Sequence, residues 1–156
     1  MSYKIPSQQA CIKGIYQDLT QVSATTANPF TLIDQDFDFS DITESGKGYR
    51  VVISLDFTGV ANKQLLLYLG GQTIMDTTAL PIQNGGDMII EVFRYGSKAF
   101  VRVVFAPINS AGSFVEAIRE QLVTTFFADT TKLKLDCVAL SAGDIVLESV
   151  RVESIT

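Results

Sequence analysis

Histidine and tryptophan do not occur in this chain of 156 residues, and cysteine occurs only twice. The absence of histidine removes the commonest general base and the commonest transition-metal ligand together. A nucleophile would need lysine or a carboxylate as its base. Glycosidase chemistry would need two carboxyl groups roughly 5–10 Å apart in a cleft, and the sequence singles out no such pair. We expect a protein that is not an enzyme and has no resident cofactor.

The two cysteines, Cys11 and Cys137, lie far apart in the sequence. Each is surrounded by apolar or strand-forming residues, which favours two buried, reduced thiols. The alternative is a disulfide between the N-terminal segment and the rest of the protein. That bond requires the two Cα atoms to lie within about 7 Å of each other.

Positive charge is also scarce, because 12 basic residues face 17 acidic ones and the net charge is −5. Without a basic stripe, we expect no nucleic-acid partner. No stretch approaches the roughly 20 apolar residues of a membrane span, so we expect no membrane partner. The N-terminal sequence MSYKIPSQQA has no apolar region of the kind that a secretory signal needs.

Apolar and polar residues alternate along much of the chain, which is the signal of a strand with one buried face. The clearest run lies between Tyr49 and Phe57, and a second occupies residues 132–139. Residues 64–69 are almost continuously apolar, which is typical of a central strand covered on both faces. The apolar positions change parity after residue 147, which predicts a β-bulge near Glu148–Ser149.

Residues 87–106 predict a β-hairpin whose loop is Gly96-Ser97, with glycine first as a type II′ turn requires. This loop pairs Glu91 with Arg102 and Phe93 with Phe100. It also leaves one wholly apolar face, formed by Met88, Ile90, Val92, Val101, Val103 and Phe105. This register brings opposite charges together and separates a wholly apolar face, and both results support it.

Residues 113–123 fit two structures. Ser113 and Glu116 have capping-box spacing, and apolar residues follow at helical intervals. We favour a strand, so the predicted fold is all-β: an antiparallel two-sheet β-sandwich of jelly-roll type with an N-terminal arm.

The chain divides near Asn28-Pro29. Residues 1–28 are polar and fit two structures. One is an edge strand around residues 10–19, interrupted by Gly14 and followed by an irregular connection. The other is an extended arm that packs on a neighbouring subunit. Residues 29–156 form the sandwich domain.

Four aspartates, Asp34, Asp36, Asp38 and Asp41, lie close together in the sequence. The spacing fails the EF-hand pattern, because its sixth position is Phe39 and not glycine. Another calcium site with oxygen ligands is one interpretation. The other interpretation, which we favour, is that the aspartates occupy solvated positions on a strand whose phenylalanines are buried.

The run from Tyr49 to Leu55, the hairpin and residues 122–152 together resemble the galactose-binding-like jelly-roll family of carbohydrate-binding modules. The matching residues are Thr124–Ala128, Leu133–Leu135, Gly143-Asp144 and Leu147–Val152. Similar sandwiches occur in phage decoration, head-fibre and tail-associated proteins. This chain departs from the sugar-binding members in lacking tryptophan, on which a pyranose ring stacks, and in carrying Glu148 where the closing strand often has aspartate.

Two functions follow from that resemblance. The first is a phage structural protein, a capsid decoration or head-fibre component located in the virion. Such a protein would bind a capsid or other virion protein and assemble as a homo-oligomer, most simply a trimer. The second is a carbohydrate-binding module or adhesin that recognises a glycan. In either case Phe93, Tyr95 and Phe100 form the predicted subunit interface or ligand platform.

Overall fold

A computed structural model describes residues 11–12, 16–59, 61–79, 85–107 and 118–155. The regular elements in these ranges are strands, without a helix. In chain order they are β1 (Cys11–Ile12), β2 (Tyr16–Asp18), β3 (Val22–Ser23), β4 (Phe30–Asp38), β5 (Gly48–Phe57), β6 (Gln64–Leu69), β7 (Gln72–Asp76), β8 (Gly86–Tyr95), β9 (Lys98–Pro107), β10 (Ile118–Thr125), β11 (Thr130–Val138) and β12 (Ile145–Ile155). No helix in this part of the chain is long and apolar enough to cross a membrane.

The strands form two stacked sheets, which confirms the predicted all-β sandwich. The five-stranded sheet has the order β1-β4-β11-β6-β7. The seven-stranded sheet has the order β10-β9-β8-β5-β12-β2, with β3 also paired to β12. The pairings are antiparallel except for the short parallel pair of β1 and β4. The chain passes repeatedly from one sheet to the other, as in a jelly roll.

The core lies between the inner faces of the two sheets. The odd-numbered residues from Tyr49 to Phe57 point inward from β5 and are buried. The apolar face predicted for the hairpin is also buried. Each fully buried side chain of this size stabilises the fold by about 1.5–3 kcal/mol before chain entropy is subtracted.

The hairpin of β8 and β9 has the predicted register. Glu91 pairs with Arg102, Phe93 with Phe100, and Tyr95 with Lys98. Gly96 has φ of 60°, as the first loop position of a type II′ turn requires. Turn chemistry and binary pattern therefore sufficed to determine this pairing.

Register shifts in β12, β4 and β7 interrupt the regular alternation of side chains. In β12 the register shifts between Leu147 and Ser149, which confirms the predicted bulge at Glu148. In β4 a second shift leaves Leu32 as the extra residue. That bulge allows Phe30 and Phe37, which differ in parity, both to be buried.

Two expectations about exposure were wrong. Strand β6 is covered on one face only, because Leu66 and Tyr68 on its other face are partly exposed. Asp136, expected at a wet position of β11, is 2% exposed. Its carboxylate accepts a hydrogen bond from the hydroxyl of Thr31 at 2.7 Å and lies 3.2 Å from the Lys134 ammonium. These partners compensate the carboxylate for lost hydration.

The proposed disulfide between Cys11 and Cys137 is excluded by strand register. The Cα of Cys11 pairs with Asp36 on one side of β4, and that of Cys137 pairs with Phe30 on the other. Six residues of strand separate these positions by roughly 17–20 Å, far beyond disulfide reach. Cys137 is a buried free thiol, and burial, with a smaller contribution from the Asp136 charge, raises its pKa to about 12.

Short strands in the N-terminal segment pair with the chain's own sheets: β1 with β4, and β2 and β3 with β12. Ala24, just after β3, is buried. Docking of this segment on a neighbouring subunit stays a prediction. Residues 118–123 lie in strand β10, as favoured, while the capping box of Ser113 and Glu116 lies outside the described residues.

Candidate ligand-binding groove

The outer face of the seven-stranded sheet, which points away from the core, carries its side chains in rows across the strands. One row, which we call the charged row, consists of Gln121, Arg102, Glu91, Arg50 and Glu153. The alternation that buries the odd residues of β5 places Arg50 outward. The hairpin register then aligns Glu91 with both arginines.

Glu91 is the centre of this row and is 7% exposed. One carboxylate oxygen accepts hydrogen bonds from Nε and Nη2 of Arg50, at 3.3 and 2.9 Å. The other accepts from Nε of Arg102 at 2.9 Å and from its Nη2. Glu153 extends the network, since it lies 3.6 Å from Arg50 and 2.8 Å from Arg151. The result is an alternating chain of charges across four strands.

Burial and pairing act in opposite directions on the pKa of Glu91. Desolvation raises it, but hydrogen bonds from Arg102 and Arg50 and the attraction of their charges together lower it below its ordinary value. The Glu91 hydrogen bond and charge, helped by Glu153, raise the pKa of Arg50 despite its desolvation. Pairing therefore favours the charged forms of both Glu91 and Arg50.

Next to the charged row is an apolar floor formed by Val104, Ile89 and Val52. Arg119 and Arg151 lie at its two ends, paired in register with Val104 and Val52. The charged row, this floor and Asp87 line an open groove of about 650 Å³. That volume falls within the range of small-molecule sites in proteins.

On the other side of the charged row is an aromatic row. Phe93, Phe100 and Val123 are neighbours across three strands, and Tyr95 follows Phe93 at a ring separation of 6.4 Å. Tyr95 is 55% and Val123 57% exposed, while the two phenylalanines are partly buried. The structure thus brings the predicted platform residues together on the surface, beside the charged row.

The four candidate calcium ligands lie elsewhere. Asp34, Asp36 and Asp38 alternate along β4 on the outer face of the five-stranded sheet, and Asp41 follows in the next loop. Lys132 of β11 pairs with Asp34 at 2.8 Å. The described residues contain no group of three or more possible ligands around one point, so the geometry gives the calcium hypothesis no support.

Sequence reasoning found the Glu91–Arg102 pair and the aromatic residues but missed Arg50, Arg119 and Arg151 as their neighbours. The sequence indicates only that each of these arginines occupies an outward-facing position of a strand with alternating apolar and polar residues. Which outward positions meet depends on the pairing of β5 with β8 and β12, and of β10 with β9. No local pattern determines these long-range pairings.

The fold and groove define this chain as an antiparallel β-sandwich with an open groove on the outer face of its seven-stranded sheet. No protein-family model matches the chain, and no curated protein sequence matches it significantly. Among solved structures it is similar to lectin I-B4 from Griffonia simplicifolia in its metal-free form, with a TM-score of 0.34 and 10% identity over 92% of this chain and 94% of that chain. A similarity at this TM-score assigns the chain neither a family nor a function.

Proposed function

We propose that this protein is a non-catalytic carbohydrate-binding β-sandwich, and that it binds an oligosaccharide along the outer face of the seven-stranded sheet. The observation that carries the proposal is the arrangement of this face, on which the charged row lines a groove of about 650 Å³ on one side and borders the aromatic row on the other.

The two rows match the two faces of a sugar. The Arg50 and Arg102 guanidinium groups and the Glu153 carboxylate offer donors and acceptors for hydroxyl groups. The aromatic rings offer flat apolar surfaces for the C–H faces of a pyranose. Because Glu91 holds both arginines, the polar groups are oriented before the ligand binds, which lowers the entropy cost of binding.

The proposal is tested by screening the purified protein against a glycan array and measuring the best ligand by calorimetry. Tyr95→Ala should weaken binding by about two- to tenfold, in line with the roughly 0.5–1.5 kcal/mol of an aromatic contact. Because Tyr95 is exposed at the end of β8, the variant should retain its stability.

The matched control is Leu140→Ala, which removes a 70% exposed apolar side chain outside the groove and should leave affinity unchanged. Absence of binding across the array, or equal losses in the two variants, would refute the proposed site.

A second candidate is the phage structural protein, in which Phe93, Tyr95 and Phe100 form a subunit interface. It is favoured by the alignment of Phe93, Phe100 and Val123 into one exposed apolar row. Such a row suits burial against an identical copy around a symmetry axis, with a trimer as the form that we propose on a virion.

Light scattering distinguishes this candidate. Phe100→Asp should convert a native oligomer to monomer with an unchanged circular dichroism spectrum, since Phe100 lies on the outer face. A native protein that is already monomeric at micromolar concentration would exclude the assembly function.

A further inference from the structure

We infer that the groove selects a glycan bearing carboxylates, and that Arg119 is the residue that binds the carboxylate. This inference rests on the proposed function and specifies its ligand class. It is carried by the distribution of charge and of ion-pair partners within the groove.

The groove is locally cationic on an acidic protein. Its lining contains four arginines against three acidic residues, whereas the whole chain has a net charge of −5. The arginines are Arg50, Arg102, Arg119 and Arg151, and the acids are Asp87, Glu91 and Glu153. A positive cleft on a negative molecule concentrates anions locally.

Arg119 differs from the other three arginines in having no ion pair or hydrogen bond among the described residues. Arg50 and Arg102 bind Glu91, and Arg151 binds Glu153. Arg119 projects from β10 on the outer face, beside the apolar floor at Val104. A guanidinium group presents paired donors that match a carboxylate in bidentate geometry.

Asp87 disfavours an anion over the middle of the floor. It lies on β8, two strands from both β10 and β12 and one row away from Arg119, so it repels an anion from the centre, while Glu153 already pairs with Arg151 at the β12 end. An anion over β8 would be repelled by Asp87, while one at the β10 edge would contact Arg119. The charged row extends roughly 19 Å from β10 to β12, so the sugar chain can contact it while its carboxylate binds Arg119.

The experiment compares polygalacturonate with its fully methyl-esterified form, in which the carboxylates are neutral, by affinity electrophoresis and calorimetry. The native protein should bind the acidic polymer at least tenfold more tightly. Arg119→Gln should abolish that preference, so that the acidic and esterified polymers bind with similar affinity, whereas Arg119→Lys should restore part of it.

Lys47→Gln is the matched control, because it removes the same charge from a residue paired with Glu44 outside the groove. It should leave the preference intact. Equal binding of the two polymers, or equal losses from Arg119→Gln and Lys47→Gln, would overturn the inference while leaving carbohydrate binding in place. Failure of every glycan on the array would instead refute the proposed function.

Discussion

At the residue scale, the main electrostatic feature is a buried carboxylate between two partly exposed arginines. Glu91 is 7% exposed, while the Arg50 and Arg102 side chains are 42% and 44% exposed. The arginines keep much of their hydration, so pairing costs little desolvation on their side. Glu91 therefore contributes both to stability and to the shape of the groove.

Glu91→Gln should lower the free energy of unfolding at pH 7 by about 1–3 kcal/mol, because charge-assisted hydrogen bonds to both arginines are lost. The native pKa of Glu91 is depressed, so its contribution is complete above the unfolded pKa of about 4.3 and is lost as pH falls through the native value. Urea titrations from pH 3 to 7 should show native and variant converging at acid pH.

Glu44→Gln is the control for this prediction. Glu44 forms a surface pair with Lys47 at 3.1 Å, with both side chains well exposed. Its replacement should change stability by less than about 0.5 kcal/mol. A Glu91→Gln effect that is small at pH 7, or that grows toward pH 3, would contradict the analysis of the charged row.

Gly96 and Gly48 are required for different reasons, the first for its backbone dihedral angle and the second for the close approach of a neighbouring strand. Gly96 has φ of 60° with open space around it, whereas a Cβ on Gly48 would lie 1.7 Å from the Val92 carbonyl oxygen. Gly96→Ala should cost about 1 kcal/mol, the strain of the left-handed conformation. Gly48→Ala should cost several times more in thermal denaturation, because the β5–β8 pairing must shift. Equal melting temperatures for the two variants would show that the close contact between β5 and β8 at Gly48 is not required.

At the element scale, bulges determine which residues of a strand reach the core. The extra residue Glu148 restores the inward facing of Val150 and Val152 after Leu147. The bulges in β12 and β4 each correspond to a change in the parity of apolar positions in the sequence, after Leu147 in β12 and between Phe30 and Phe37 in β4. The first change predicts the bulge at Glu148, and the second indicates the bulge at Leu32 in the same way.

Deleting Glu148 should be far more damaging than replacing it. The deletion turns Val150 and Val152 outward or forces β12 to slip, at a cost of about 3–6 kcal/mol from two buried valines. Glu148→Ala should stay within about 0.5 kcal/mol, because the side chain is only partly buried. Chemical denaturation of the two variants measures the difference, and similar midpoints would mean that β12 tolerates a regular register.

At the scale of the whole molecule, the N-terminal segment adds edge strands to a sandwich whose main core is built from β4 to β12. Removing residues 1–28 should leave a folded protein that is destabilised by roughly 1–3 kcal/mol, as the buried Ala24 and the packing of Val22 are lost. The newly exposed edge of β12 should also promote association. Failure of the truncated chain to fold would show that the segment is part of the core. Unchanged attachment of the truncated protein to an assembly partner would show that residues 1–28 are not a docking arm.

The sequence by itself determined the all-β class, the hairpin register at Gly96-Ser97 and the bulge at Glu148, because turn chemistry and period-two alternation are local. Tertiary structure decided the rest. The contact of Asp136 with Thr31 depends on the pairing of β11 with β4, and the separation of Cys11 from Cys137 depends on the positions at which their strands pair along β4. The groove depends on five strands, from residue 48 to residue 155, lying side by side. Such contacts follow from long-range pairing, which is selected by the burial of the whole core and not by any single segment.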